Sequence, residues 1–295
     1  GRPARIGFAE RRSHRIAPIE RCPVLTPGLD RLLEPLAGEL LGRLCEDGGA
    51  PVAAEIVLAD GRPAPLAAAV LDAPPPPGFY AAARSLVGGE NGLLAGVTAV
   101  ADGLDLPVAG ATRTRVDGGD GVPLAIGAAS FGQANAGVNA RLAATAREWI
   151  GSRFASALEL FAGAGNLTVA LAPGVERYSS AERDAAAAAA ARDNLAERGL
   201  DRVHVREGDA LEVYRDIGRG ADLVILDPPR TGHALLADAL ADGKNAAVLY
   251  VSCNPRTLAR DLAALARGGY AVSRAAGFDM FPQTPHLEAL VLLER

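Results

Sequence analysis

Cys253 stands at the end of an apolar run, directly before Asn-Pro and a helical pattern, in "LYVSCNPRTLARD" (249–261). A small core residue would need no such setting. Asn254 suits a helix N-cap and Pro255 the first helical position. The thiol then lies just outside a helix N-terminus, where the dipole favours a thiolate. An ordinary thiol of pKa about 8.5 is only a few per cent ionised at neutral pH. The setting therefore reads as that of a nucleophile.

Other apolar runs also end in residues able to do chemistry. "LELFAGAGNLT" puts Gly163 and Gly165 in a strand-to-helix turn, where the backbone can approach a ligand closely. It is not a dinucleotide fingerprint, because Thr168 stands where GxGxxG needs its last Gly. Glu182, about 20 residues after the first Gly, could hold two ribose hydroxyls or merely precede a helix cap. Asp209 in "EGDA" could face an adenine amine or cap the next helix. In "LDPPR" two prolines after Asp227 make a stiff, extended turn. It could hold Asp227 against a planar base, or be a rigid loop and no more. The turns at Gly163, Glu182 and Asp209 together suit a nucleoside cofactor without a strong phosphate grip, S-adenosylmethionine better than NAD.

Such residues meet only if a parallel sheet gathers them. From about residue 134 the chain alternates. A helical "NAGVNARLAATAREWI" precedes seven apolar runs, "ALELFAG", "VERYSSAE", "RVHVREGD", "ADLVILDPP", "AAVLYVSC", "AVSRAAGFD" and "EALVLLE". Helical patterns separate the first six, which predicts a doubly wound parallel sheet with ligands at the strands' carboxyl ends. The last two runs leave no room for a crossover helix, so they should pair antiparallel at the sheet's edge. The Ala-rich stretch at 183–198 is a strong helix rather than low complexity.

Residues 1–127 differ, with short alternating stretches, many Pro and Gly, and a Pro run at 74–77. "VAAEIVLADG" reads as a strand ending in an Asp-Gly turn, and "GATRTRVDGGDGVPLAIG" as a hairpin. "GLDRLLEPLAGELLGRLCEDGG" has helical periodicity with Gly-Gly as its stop. This half is expected to be α+β.

Bulk properties narrow the class. The 295 residues are 49% hydrophobic, enough for two globular domains or one large one, and no run is long and apolar enough to span a membrane. No signal peptide opens the chain. It starts at Gly1 and its only Met is Met280, so a fragment or processed product is expected. Cys22, Cys45 and Cys253 form no CxxC pair, which argues against a disulfide scaffold and a zinc site and fits a reducing cytosol. The net charge is −5, yet residues 1–22 carry six arginines (Arg2, Arg5, Arg11, Arg12, Arg15, Arg21) against Glu10 and Glu20, a local +4. Such a patch can contact phosphates. It could also be ordinary surface charge, since Lys244 is the only lysine.

The stretches "FGQANAGVN", "ELFAGAGNLT", "LDPPR", "YVSCNPRTLARD" and "DMFPQTPHLEALVLL", in order over roughly 131–294, resemble the S-adenosylmethionine-dependent RNA uracil-5-methyltransferases. "FAERRSHRIAPIERCPVL" is similar to the middle domain of the bacterial ribosomal-RNA members. "DMFPQTPHLE" looks more like those than like the transfer-RNA enzyme. The resemblance implies a Rossmann-like class I methyltransferase domain at 128–295, a mostly parallel seven-stranded sheet with an antiparallel edge hairpin. A smaller α+β domain of RNA-binding type precedes it at 1–127. Residue by residue, Cys253 matches the nucleophile and Glu288 the general base. Gln133, Phe161, Asn166, Glu182, Asp209 and Asp227 match cofactor-binding positions, Asp209 replacing an Asn found in some members. Many members also carry an upstream OB-like domain and a four-cysteine iron–sulfur cluster. Cys22 resembles the last cluster ligand, but the other three are absent, so this chain alone cannot build the cluster. Phe281 could line the cleft for a flipped base; His286 reads as a solvated loop histidine.

The expected function is methyl transfer to C5 of a uridine in RNA; an NAD-dependent oxidoreductase is disfavoured by Thr168. A cytoplasmic, monomeric protein with ribosomal RNA as partner, no membrane and no metal is expected. Two other readings are a non-catalytic RNA-binding protein on a methyltransferase scaffold, which retention of Cys253 and Glu288 opposes, and a transfer-RNA uracil-5-methyltransferase.

Overall fold

The computed structural model describes residues 4–10, 13, 15–45, 54–88, 92–102, 104–284 and 286–295. By contacts the chain divides into two compact units, Gly1–Val116 with Ile126–Ala129, and Asp117–Ala125 with Ser130–Arg295.

The first unit begins with a short antiparallel ribbon, β1 (Gly7–Ala9) and β2 (Ile16–Pro18). Of the arginines counted above, Arg2, Arg11 and Arg12 lie outside the described residues, while Arg15 pairs with Glu10 at 3.0 Å and Arg21 with Asp30 at 3.2 Å. The expected single helix after residue 27 is broken. It runs as α1 (Pro27–Asp30), α2 (Leu33–Pro35), a π turn (Leu36–Leu40) and a 3-10 turn (Leu41–Cys45). Pro35 gives the physical reason. It has no N–H to donate one turn back, and its ring crowds that carbonyl. Leu29, Leu32, Leu36 and Leu40 nevertheless stay buried in one cluster. The Gly-Gly stop lies outside the described residues.

That cluster packs on a four-stranded sheet of β3 (Glu55–Ala59), β4 (Leu66–Leu71), β5 (Gly96–Ala101) and β6 (Leu104–Gly110), in sequence order. β4 and β5 run parallel, joined by α3 (Pro77–Gly88), whose Phe79, Ala82, Ala83 and Leu86 are buried. The Pro run thus leads into a helix at its first turn, where a fixed φ and a missing N–H cost least. The predicted hairpin is present as β7 (Arg113–Asp117) and β8 (Pro123–Gly127).

The second unit holds α4 (Ala136–Ile150) and the predicted α/β sheet. Its strands are β9 (Ser156–Leu160), β10 (Arg177–Glu182), β11 (His204–Glu207), β12 (Leu223–Leu226), β13 (Ala247–Ser252), β14 (Ala271–Phe278) and β15 (Glu288–Glu294). They lie in the order β11-β10-β9-β12-β13-β15-β14. β9, β12 and β13 are buried at every position, as central parallel strands covered on both faces must be. The intervening helices are α5 (Asn166–Leu171), α6 (Ala185–Ala196), α7 (Ala210–Ile217), α8 (Ala234–Ala241) and α9 (Pro255–Arg267). Strand order reverses at β9: the chain first builds outward to β11, then returns to β12 on the other side. A crevice opens at the carboxyl ends of strands at such a switch point. The antiparallel pair stands at the edge as expected, with the last strand, β15, inserted beside β13 and β14 outermost.

Candidate active site

The register of the sheet brings the predicted residues to one edge. Leu160 pairs with Ala181 and with Leu226, so the next residues along these parallel strands, Phe161, Glu182 and Asp227, follow the same row. Ser252 pairs with Ala289 across the antiparallel β13–β15 ladder. Continued by one step, that ladder sets Cys253 opposite Glu288. Two candidate site residues 35 positions apart in sequence are thus brought toward one another by strand pairing.

The first turn is built for close approach. Phe161 has φ +64°, a left-handed conformation that costs a bulky residue on the order of 1–3 kcal/mol and marks functional turns. Gly163 (φ +55°) follows, and a Cβ placed on it would meet nothing within 4 Å. Its N–H donates to Glu182 Oε2 at 2.9 Å, while Asp184 N–H donates to Oε1 at 2.8 Å. Glu182 therefore fastens the first turn to the second. Asp209 caps α7, its Oδ1 accepting from Leu211 N–H at 2.9 Å and Glu212 N–H at 3.3 Å. The capping alternative for Asp209 is realised, through one of its two oxygens. Asn166 exchanges amide hydrogen bonds with buried Asn139 at 2.8 and 2.9 Å. Gln133 sits, partly buried, two residues before Asn135, the N-cap of α4.

Around Cys253 the local sequence folds as its residue types dictate. Asn254 caps α9, accepting from Arg256 N–H at 3.1 Å, and Pro255 opens the helix. Asn254 Nδ2 also donates to the Arg230 carbonyl at 2.9 Å, tying the "DPPR" turn to the "SCNP" turn. The expectation of a depressed thiol pKa is corrected, however. Burial pushes the half-buried Cys253 thiol up, the Glu288 charge adds to this, Arg230 opposes it and Asp227 adds again. Burial, joined by the two carboxyls, outweighs the Arg230 charge. Those carboxyls are perturbed as well. Burial and the Asp227 charge push Glu288, 5% exposed, up to about 8. Burial pushes Asp227 up to about 7. Three titrating groups raised by burial at one sheet edge make it a candidate functional site.

Several residues were not found by sequence reasoning. Glu159, buried within β9, accepts from Tyr178 OH at 2.7 Å and is pushed by burial to about 7. An acid in an otherwise apolar strand was the available signal. Asp261, fully buried, accepts from Tyr250 OH (2.7 Å), His233 N–H (2.9 Å) and Arg260 Nε (2.8 Å). It braces the start of α8 against α9. His286 is not simply solvated: its ring meets Arg230 Nη2 at 3.1 Å and stands edge-on to Phe281 at 6.2 Å. Among the described residues no cluster of His, Cys, Asp and Glu is suited to hold a metal ion. Cys22 is buried, its N–H donating to Asp30 Oδ1 at 2.6 Å.

Residues 124–295 match the model of the tRNA (Uracil-5-)-methyltransferase family. The chain belongs to this family. A 23S rRNA (uracil(1939)-C(5))-methyltransferase of Aeromonas salmonicida is 33% identical over all of this chain and 66% of its own length. One from Chromohalobacter salexigens is 46% identical over 166 residues, 56% of this chain and 35% of its own. The chain thus spans between about a third and two thirds of these curated relatives. The crystal structure of Pyrococcus abyssi tRNA (uracil-54, C5)-methyltransferase in complex with S-adenosyl-L-homocysteine superposes with a TM-score of 0.70 at 22% identity. It covers 99% of this chain and 75% of that one, and shows this chain to have the Rossmann-like methyltransferase fold.

Proposed function

We propose that this protein transfers a methyl group from S-adenosylmethionine to C5 of a uridine in RNA, ribosomal RNA in the first instance, through a covalent bond between Cys253 and C6. The observation that carries this reading is the pairing of Ser252 with Ala289, which ends the β13–β15 ladder one step before Cys253 and Glu288. We assign residues 128–295 to the methyltransferase domain and 1–127 to a domain of RNA-binding type. We place the protein in the cytoplasm, as a monomer.

The first turn fits the cofactor. Gly163 leaves open space where a side chain would stand, and the Glu182 carboxylate accepts from its N–H. Gln133, Phe161, Asn166, Glu182, Asp209 and Asp227 would hold it. When bound it supplies an electrophilic methyl on a sulfonium.

Uracil C5 is a poor nucleophile. Addition of the Cys253 sulfur to C6 forms an S–C6 bond and moves the C5–C6 π pair into an enolate, which makes C5 nucleophilic. After C5 is methylated, Glu288 takes the C5 proton and the S–C6 electrons return to sulfur. Glu288 must be ionised for this, yet its ordinary value is raised to about 8. The target base must leave its stack to reach the site.

The test is incubation of the chain with cofactor and either unmodified 23S ribosomal RNA or transfer RNA, with 5-methyluridine mapped by mass spectrometry. Methylation of ribosomal RNA alone is expected. Methylation of transfer RNA alone would favour the second reading, to which the family description and the Pyrococcus structure both point. Methylation of neither by a chain that binds both ligands would contradict the proposed activity.

A further inference from the structure

We propose that Asn194 is a positioning residue for the turn that follows β9, and that residues 117–125, which it ties to that turn, belong to the cofactor site. The cofactor rests on the function proposed above; the fixing of the turn does not.

Asn194 stands within Ala-rich α6, where an asparagine is a poorer helix former than the alanines around it. It is fully buried, so its amide needs its partners. Oδ1 accepts from Ala125 N–H at 2.8 Å, while Nδ2 donates to the Ala125 carbonyl at 2.9 Å and to the Ala164 carbonyl at 3.0 Å. The opposite amide orientation would aim its oxygen at two carbonyl oxygens, so the partners dictate this one.

The turn needs such a holder. Phe161, Gly163 and Gly165 have φ of +64°, +55° and +89°, and a left-handed Phe161 persists only where its surroundings impose it. Ala162 N–H donates to the Ala181 carbonyl at 3.0 Å, and Gly163 N–H donates to Glu182; both acceptors lie on β10. Asn194 holds the turn from α6 by the Ala164 carbonyl, and carries the grip on to residues 117–125.

That segment is itself fastened. Four residues after Asn194, Arg198 donates to both Asp120 carboxylate oxygens at 2.6 and 3.1 Å, and to the carbonyls of Val122 at 2.9 Å and Pro123 at 3.3 Å. Gly119 is so close to the start of α5 that a Cβ on it would stand 2.8 Å from the Asn166 carbonyl oxygen and 3.0 Å from Ala143 Cβ. Asn166 is one of the residues assigned to the cofactor. Residues 117–125 precede the methyltransferase domain assigned above, yet they group with it by contacts.

The experiment compares Asn194 with Asn245, a buried amide with the same kinds of partner: it accepts from Tyr214 OH at 2.8 Å and donates to the carbonyls of Gly218 and Ala221 at 2.7 Å each. Asn245 precedes β13, at the strands' amino ends, away from the turn. In the full chain, amide hydrogen exchange of a peptide spanning 161–166 is followed without ligand, and S-adenosyl-L-homocysteine binding by calorimetry. Asn194→Ala should speed exchange in the turn and weaken binding by about 5–30-fold, through the lost bond to Ala164. Asn245→Ala should lower Tm comparably and leave both readings unchanged. Asn194→Asp keeps the acceptor for Ala125 N–H but, when ionised, sets an oxygen against two carbonyls, and burial raises its pKa. Relative to wild type it should bind weakly at about pH 8 and regain affinity at about pH 5.5, where a protonated carboxyl donates again. It serves if the alanine variant fails to fold by circular dichroism. Turn exchange and affinity unmoved in both Asn194 variants, or moved as far by Asn245→Ala, overturn the positioning role. Gly119→Ala should weaken binding as well; an unchanged affinity there removes residues 117–125 from the site. A wild-type chain that binds no S-adenosyl-L-homocysteine, with turn exchange still answering to Asn194, contradicts the proposed function and leaves the positioning in place.

Discussion

At the residue scale, the site works by burying acids. Glu159 and Glu288 have folded values of about 7 and about 8, above their ordinary value of 4.5. Between the unfolded and folded values the folded protein binds more protons, so rising pH destabilises it. Glu159→Gln should therefore leave Tm nearly unchanged below pH 4.5. The variant should gain on wild type between pH 4.5 and 7, by about 2–4 °C for each kcal/mol. Tyr178 OH can still donate to the glutamine oxygen. Scanning calorimetry at pH 5 and 8 checks this; an equal gain at both would show Glu159 to be ionised throughout. Turnover should rise with pH through a midpoint near 8, as Glu288 becomes a carboxylate, and Asp227→Asn should lower that midpoint by removing a neighbouring charge. Glu182→Ala should weaken S-adenosylmethionine by about 1–3 kcal/mol in calorimetry, through lost charge-assisted hydrogen bonds. Sequence alone pointed to Cys253, Asp227 and Glu182 because each ends a strand. It could not show that Glu182 already grips two backbone N–H groups, or that burial and the neighbouring carboxyls raise the thiol.

At the scale of elements, strands and caps were legible where period and cap agreed. α6 begins after Asp184 and α9 after Asn254, as their residue types require. The broken helix at 27–45 was less so, because its leucine spacing survives the break that Pro35 imposes. Insertion of β15 inside β14 is a non-local choice that no local pattern records. Asn254 joins two of these elements, capping α9 and bonding the "DPPR" turn. Asn254→Ala should cost about 0.5–2 kcal/mol in urea unfolding, with Asn254→Asp keeping the cap but losing the bond to Arg230.

At the scale of the whole molecule, each unit has its own buried cluster, one around Leu36, Phe79 and Val97, the other around Leu160, Tyr214 and Val248. Residues 117–295 keep the Asp120–Arg198 ion pair and the Ala125–Asn194 hydrogen bonds. That piece should fold alone and bind S-adenosylmethionine as the full chain does, by circular dichroism and calorimetry. The basic segment should matter for RNA only: Arg11→Ala with Arg12→Ala should flatten the salt dependence of RNA binding by up to about two units. An unchanged slope would return those arginines to ordinary surface charge.

The central claim is that Cys253 and Glu288 act in sequence on one base, and trapping tests it most directly. Glu288→Gln, incubated with cofactor and a uridine-containing RNA it is shown to bind, should form a covalent protein–RNA species that survives denaturing electrophoresis. Methyl transfer proceeds there, but the C5 proton stays and elimination stalls. Adding Cys253→Ala to the same chain should abolish that species, because nothing then bonds to C6. A Glu288→Gln chain that turns over freely, or an adduct that persists without Cys253, would contradict the account.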